Sequence, residues 1–437
     1  MAASLRFGTD GIRGPAGSFP IDAATARVLG LVLGRQVGRV LMARDSRSSG
    51  PELVAALVAG VREAGGQAIP LGVLPTPALS ALLQRGWADR AVMVTASHNP
   101  PADNGLKVLG PDGRKLGDDA QQLLQDALNQ ELQIGTAPAF TSTDALAEPR
   151  HDEARQQYLA ILRQLLPPGR WLDGCTVVLD ASYGAGAHTG PAILEALGAV
   201  VIPMACQIDG QRINVGCGAV HPQALASMVR EHDAQVGVGL DGDADRGVLV
   251  AASGQVLDGD ALLYLLASAP AVVGTVMSGG GLEQALAARG IELVRTPVGD
   301  RHVDAAVHAR QLAVGAETSG HVCLADGLPT ADGMLSCLRV LAGGVDLDAR
   351  LEGYRAWPRV QQGVAVTHRP PLDSLPELVA ACQQVEADLG PGGRTLLRYS
   401  GTEALLRVLV EGRDEASVQR AAATLVDVVR RVIGARP

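Results

Sequence analysis

Four short stretches of this 437-residue chain group side chains that can act on a phosphate or a sugar. The first is Thr95-Ala96-Ser97-His98-Asn99-Pro100-Pro101. The apolar run Ala91 to Val94 predicts a strand. His98 and Asn99-Pro100 then stop it, because proline lacks an N–H and restricts the residue before it. A single serine oxygen at the mouth of a loop is a candidate nucleophile, although a strand ending in a polar turn is the plainer reading of Ser97 alone. No G-x-S-x-G elbow surrounds it, and the adjacent His98 is poorly placed to be its general base, so serine-hydrolase chemistry is not indicated.

The second stretch is Asp241-Gly242-Asp243-Ala244-Asp245-Arg246. Three alternating carboxylates repel one another and call for a cation or several donors. An EF-hand needs Gly at loop position six and Glu at twelve; Arg246 and Ala252 stand there instead. A few hard oxygen ligands suit Mg²⁺, which completes its shell with phosphate oxygens. A solvated acidic turn is the alternative, and the apolar strands expected on both sides leave it little room.

In the third stretch a loop bounded by Gly315 and Gly320 displays Glu317 and Ser319, with His321 just beyond. These groups can exchange hydrogen bonds with sugar hydroxyls, or form an ordinary turn. The fourth carries Arg398, Ser400, Gly401 and Thr402, with Arg407 in the following apolar run. Two hydroxyls, an open backbone N–H and two guanidinium groups make a phosphate cradle. Arg407 within LLRVLV is awkward to bury, which favours a ligand for it. A serine sharing a site with Mg²⁺ and facing a phosphate cradle is suited to carrying a phosphoryl group.

Two glycine patterns carry less. Gly237, Gly239 and Gly242 match a dinucleotide fingerprint, but a strand is expected after them where a helix is required. Gly184 to Gly190 lies between a strand and a helix, yet its spacing is wrong and no acid-tipped second strand follows at the usual distance.

A recurring unit positions these loops. A strand over Val40–Ala43, a polar loop, a helix from Pro51, a glycine stop at Gly65-Gly66 and a strand over Ala68–Leu71 form the first copy. The order returns with Val177–Leu179, Gly198 and 200–204, then with Thr275–Met277, Gly290 and 292–296. Uneven spacing excludes a fixed-period solenoid. Residues 133–150, 251–260 and 357–375 read as boundaries. Beyond the last, the order helix, strand, strand, helix departs from the plan. The expected domains are 1–150, 151–252 and 253–365, each α/β with mixed sheets, and a smaller α+β domain over 366–437, set around a central cleft.

The net charge of −9 supplies no basic face for nucleic acid. The six Cys form no CxxC and read as small buried groups of a reducing cytosol. No signal peptide is expected at the N-terminus, and Pro270 and Gly274 break the uncharged run 261–282, so no membrane span is expected.

Taken together and in this order, the four stretches resemble the signature loops of the α-D-phosphohexomutase superfamily, end to end along the chain. Phe7-Gly8-Thr9-Asp10-Gly11-Ile12-Arg13-Gly14, Ile213-Asn214 with Cys217-Gly218-Ala219, and Val298-Gly299-Asp300-Arg301 resemble its bacterial phosphoglucosamine mutase branch. The resemblance implies that Ser97 is a phosphoserine. Asp241, Asp243, Asp245 and a phosphoserine oxygen would hold one Mg²⁺. Arg13, His98 and Lys107 would surround the phosphoryl group. His321 would be a candidate proton carrier, and Glu317 and Ser319 would contact the sugar. Arg398, Ser400, Gly401, Thr402 and Arg407 would anchor the phosphate that does not react. The implied reaction interconverts glucosamine 6-phosphate and glucosamine 1-phosphate through a hexose 1,6-bisphosphate, a trace of which charges Ser97, in a cytoplasmic enzyme for which a homodimer stays open. Ala244, Thr318, Tyr399 and Ala404 depart from the branch's usual residues. They remove no chemical group and leave a hydroxyl sugar, as in phosphoglucomutase/phosphomannomutase, as the alternative substrate. A non-catalytic sugar-phosphate binder is disfavoured because every chemical residue is present.

Overall fold

The computed structural model describes residues 5–8, 11–134, 147–400 and 404–434. The chain forms two compact units, Met1–Met277 with Leu293–Leu351, and Ser278–Glu292 with Glu352–Pro437.

The first unit is built on mixed sheets. Strands β1 (Ile12–Pro15), β2 (Arg39–Arg44), β3 (Gln67–Val73), β4 (Arg90–Val94) and β5 (Asp103–Leu109) lie in the order β1-β5-β4-β2-β3. Parallel β3, β2 and β4 are continued by antiparallel β5 and β1. Strands β6 (Thr176–Asp180), β7 (Val200–Met204), β8 (Val236–Leu240), β9 (Gly247–Ala251) and β10 (Val256–Leu257) repeat this plan in the order β10-β9-β8-β6-β7. A four-stranded sheet follows, from β11 (Ala271–Thr275), β12 (Glu292–Thr296), β13 (Val314–Ala316) and β14 (Val322–Leu324), ordered β12-β11-β13-β14.

The plan fixes where chemistry can sit. In each sheet one parallel strand turns back into an antiparallel neighbour: β4 into β5, β8 into β9, β13 into β14. Those turns hold Ser97, the aspartate triad and Glu317. Carboxyl ends of strands in open α/β sheets are where ligands bind. Fully buried cores, such as Val92, Val94, Leu57 and Leu29 beneath the first sheet, fix the strand ends rigidly.

The second unit carries β15 (Arg359–Ala365), β16 (Arg394–Tyr399) and β17 (Leu405–Glu411) as an antiparallel sheet ordered β15-β17-β16, covered by helices Pro376–Leu389 and Glu415–Ile433. Strand β15 lies inside the stretch 357–375 that the sequence reads as a boundary. It pairs with β17 from Arg359↔Glu411 to Ala365↔Leu405, as an exposed edge whose polar sequence hides its alternation. Helix Gly280–Ala288 belongs to this unit, where Trp357 lies so close to Gly280 and Gly281 that a Cβ would meet its ring at 2.7 and 3.0 Å. Strand β11 ends at Thr275, before the expected Val276 and Met277. Among the described residues no helix is long and apolar enough to cross a membrane.

One buried acid gives the fold a pH dependence. Asp332 caps helix Gly333–Leu341 through the Leu335 N–H (2.9 Å) and accepts the Tyr158 hydroxyl at 2.7 Å. Burial lifts its carboxyl to about 6 against its hydrogen bonds. A folded value above the unfolded one adds stability that is complete below the unfolded pKa and lost as pH rises through 6. The expected loss between pH 4 and 7 is ~3 kcal/mol. Asp332→Asn keeps an oxygen for the cap and should flatten that part of the curve. Urea titrations at pH 4.5 and 7.5 test this; parallel wild-type and variant changes would contradict it.

Candidate active site

The first unit gathers most of the chemical side chains in one place. Ser97 is fully buried and has φ 53°, the left-handed region that few non-glycine residues adopt. Its Oγ donates to Asp241 Oδ2 at 2.6 Å and lies 3.4 Å from His98 Nδ1. Its N–H donates to Thr95 Oγ1 at 2.8 Å. The metal-loop backbone packs directly against it: a Cβ on Gly242 would stand 2.5 Å from the Ser97 carbonyl oxygen, so only glycine fits.

All three aspartates are buried, and one oxygen or more of each lies within 4.8 Å of the others. The Lys107 ammonium contacts Asp243 Oδ2 at 2.6 Å and Asp245 Oδ2 at 3.0 Å. Thr76 donates to Asp243 Oδ2 at 2.5 Å. Asp243 Oδ1 and Asp245 Oδ1 are buried with no hydrogen-bond partner. Three converging hard oxygens, two of them unsatisfied, fit a small divalent cation.

The charges here push individual groups apart. Burial, then the Asp245 and Asp243 charges, drives the Asp241 carboxyl well above the ordinary value. Burial works the same way on Asp245, but Lys107, His321, Lys115 and Arg246 outweigh it and hold that carboxyl low. Burial, followed by the Arg246 and Arg13 charges, depresses His98 to about 4, so its imidazole is neutral near pH 7. Arg13 reaches this region from β1, in register with Gly105 of β5.

The sugar-loop residues lie in the same unit. The Glu317 carboxylate accepts the Gly299 N–H at 3.0 Å, where Gly299 has φ 132°. Ser319 Oγ and His321 Nδ1 are buried without a hydrogen-bond partner, which leaves both available to a ligand's hydroxyl groups. His321 Nε2 lies 3.5 Å from Asp300 Oδ2, which also pairs with Lys115.

The phosphate-cradle residues lie in the second unit. Arg398 and Arg407 are direct cross-strand partners in β16 and β17. Burial, then the Arg407 charge, lowers the Arg398 guanidinium. Like charges opposite one another are unfavourable unless an anion joins them. Arg407 is half-buried on the face opposite Leu406 and Val408. Ser400 is buried and donates its N–H to Leu405 O at 2.8 Å. Gly401 and Thr402 lie outside the described residues.

Sequence reasoning did not reach Thr76, Lys115 or Arg47, and Asp300 stood within a quoted motif without a role. Arg246 stood within a quoted motif without being singled out.

The sheets, the loops at their turns and the match to known families define the class. The chain matches the phosphoglucomutase/phosphomannomutase alpha/beta/alpha domains I, II and III over residues 4–134, 169–254 and 258–349, and the C-terminal domain over 363–428. It belongs to this phosphohexomutase family and is an enzyme, an isomerase. Within the family it is similar to bacterial phosphoglucosamine mutases: 40% identical to that of Cereibacter sphaeroides over 98% of both chains. The Anaeromyxobacter phosphoglucosamine mutase is 38% identical over 98% of this chain and 96% of its own. Among solved structures, a phosphoglucomutase/phosphomannomutase family protein from Burkholderia thailandensis aligns with TM-score 0.74 and 25% identity over 97% of both chains. Aspergillus fumigatus N-acetylphosphoglucosamine mutase shares the fold at TM-score 0.69 and 18% identity, over 98% of this chain and 96% of that one.

Proposed function

We propose that the chain is a Mg²⁺-dependent phosphoglucosamine mutase that interconverts glucosamine 6-phosphate and glucosamine 1-phosphate through a phosphorylated Ser97. The observation that carries this reading is the Ser97 hydroxyl held 2.6 Å from one aspartate of a buried triad, with Lys107 bridging the other two. Asp241, Asp243 and Asp245, with a phosphoserine oxygen, would hold Mg²⁺, which neutralises charge on the phosphoryl oxygens when bound.

The substrate's free hydroxyl attacks phosphorus, the bond to Ser97 Oγ breaks, and the hydroxyl proton passes to a base, for which His321 is the candidate. The resulting 1,6-bisphosphate turns, and its other phosphoryl group returns to Ser97 Oγ. Arg13, Lys107 and Arg246 neutralise the passing charge, and His98, neutral near pH 7, can donate or accept a hydrogen bond. Glu317 and Ser319 hold the sugar. Arg398, Ser400, Gly401, Thr402 and Arg407 anchor the phosphate that stays. Residues 1–150, 151–252, 253–365 and 366–437 are taken as the domains supplying the serine, metal, sugar and phosphate loops. The assigned setting is the cytoplasmic synthesis of amino-sugar wall precursors.

The test is a substrate panel. Mg²⁺-supplied protein receives the 1-phosphates of glucosamine, glucose and mannose with a trace of hexose 1,6-bisphosphate. A kcat/KM for glucosamine at least ~10-fold above the others is expected. Preference for glucose or mannose would move the enzyme to the phosphoglucomutase/phosphomannomutase reading, which Thr318 keeps in view. No turnover with any sugar would reject the mutase reading.

A further inference from the structure

The main chain around Ser97 is held by a buried device with no place in the reaction scheme. Arg47, fully buried, spends all five of its N–H groups within reach of the serine loop. Nε donates to Asp45 Oδ2 at 2.9 Å. Nη1 donates to the Pro100 carbonyl and, at 2.8 Å, to that of Asp103. Nη2 donates to the carbonyls of Ser97 (3.0 Å) and Asn99 (2.7 Å). Asn214, from the segment that follows β7, donates its side-chain amide to the same two carbonyls, at 2.8 Å to Ser97 and 3.1 Å to Asn99. On the other side of the serine, Asp45 Oδ2 accepts the Thr95 hydroxyl at 2.6 Å, and that hydroxyl's oxygen accepts the Ser97 N–H.

Both backbone groups of the nucleophile are therefore tied to one buried network, and its φ of 53° is held against the usual preference for negative values. With the carbonyl held by Arg47 and Asn214, the side chain donates its hydroxyl to Asp241 Oδ2 at 2.6 Å. A network that ties a strained residue from both sides fixes its oxygen far better than the loop itself could.

We infer that Arg47 and Asn214 are positioning residues for phosphoryl transfer, setting the Ser97 oxygen against the aspartate triad by clamping the Ser97 and Asn99 carbonyls. This rests on the mutase reading with Ser97 as the phosphoryl carrier, and wild-type turnover in the substrate panel is established first, so a failure of that reading shows before any variant is made. The variants are Asn214→Ala, which removes one donor from each carbonyl, and Arg47→Lys, which keeps a charge beside Asp45 but cannot span four carbonyls.

The readouts are the rate at which hexose 1,6-bisphosphate charges Ser97, followed by intact mass, and kcat and KM on the sugar phosphate. Charging and kcat are expected to fall ~10- to 100-fold, since misplacement of a reacting atom by about 1 Å costs on that order. KM should stay within about threefold because no sugar contact is altered, and Mg²⁺ affinity of the unphosphorylated protein by calorimetry should be unchanged because the three aspartates are untouched. A purely structural role would lower the melting temperature and leave charging of the folded fraction at the wild-type rate. That result, or a kcat within twofold of wild type in folded Asn214→Ala, would overturn the inference. If Arg47→Lys does not fold, Asn214→Ala decides alone.

Discussion

Ser97→Ala is expected to lower mutase turnover by ~10⁴-fold or more, with the protein folded and sugar phosphate still bound. The proposed reaction forms and breaks its bonds at one oxygen, and alanine removes that atom alone. The fold should tolerate the change, because the φ of 53° is as accessible to alanine as to serine and the Arg47 and Asn214 bonds go to the backbone carbonyl. Losing the 2.6 Å bond to Asp241 leaves a buried carboxyl that burial and two neighbouring carboxylates already drive upward. Intact mass should show that wild type gains one phosphate on incubation with hexose 1,6-bisphosphate and the variant none. Turnover within tenfold of wild type, or phosphate on the variant, would place the carrier at another residue and dismantle the scheme above.

What the sequence made legible follows a physical rule. Apolar strands ending in small polar residues marked where β4 and β8 turn back, so Ser97 and Asp241 stood out from their local surroundings, while Glu317 stood out by the glycines that bound its loop. The final helix, Glu415–Ile433, was legible as the last element of the chain because one face carries its apolar positions. The clamp on Ser97 was not legible. Arg47 meets its carbonyl 50 residues away, Asn214 lies 117 residues away, and Thr76 reaches Asp243 across 167. No periodicity links such positions. Lys107 entered only through family resemblance, since a lysine inside the buried strand β5 has no local pattern that assigns it partners. Strand β15 was lost for the opposite reason: an exposed edge needs little apolar alternation, and RVQQGVA shows little.

The same distance in sequence conceals how Lys107 is coupled to the metal site. Its ammonium lies 2.6 and 3.0 Å from Asp243 and Asp245, with all three side chains at 4% exposure or less. In this arrangement it serves the triad as a cation would, and on the proposed reading a bound Mg²⁺ would share those oxygens with it or turn it toward the phosphoryl group. Lys107→Met removes the charge while keeping the length. Two buried carboxylates then lose their nearest counter-charge, with the Thr76 hydroxyl remaining on Asp243 and His321, Lys115 and Arg246 still acting on Asp245, at a cost of ~3–5 kcal/mol. In EDTA the variant should therefore melt well below wild type. Millimolar Mg²⁺ should raise its melting temperature more than that of wild type, because a cation that binds the native state stabilises it in proportion to its affinity, and in the variant no ammonium competes. Turnover should remain low, ~10²-fold or more below wild type, since the metal cannot replace the group that follows the phosphoryl oxygens in transit. Thermal scans with and without Mg²⁺, read beside kcat, separate these effects. Equal Mg²⁺ shifts in the two proteins would show that the cation binds through the unsatisfied Asp243 Oδ1 and Asp245 Oδ1 and leaves the lysine where it is.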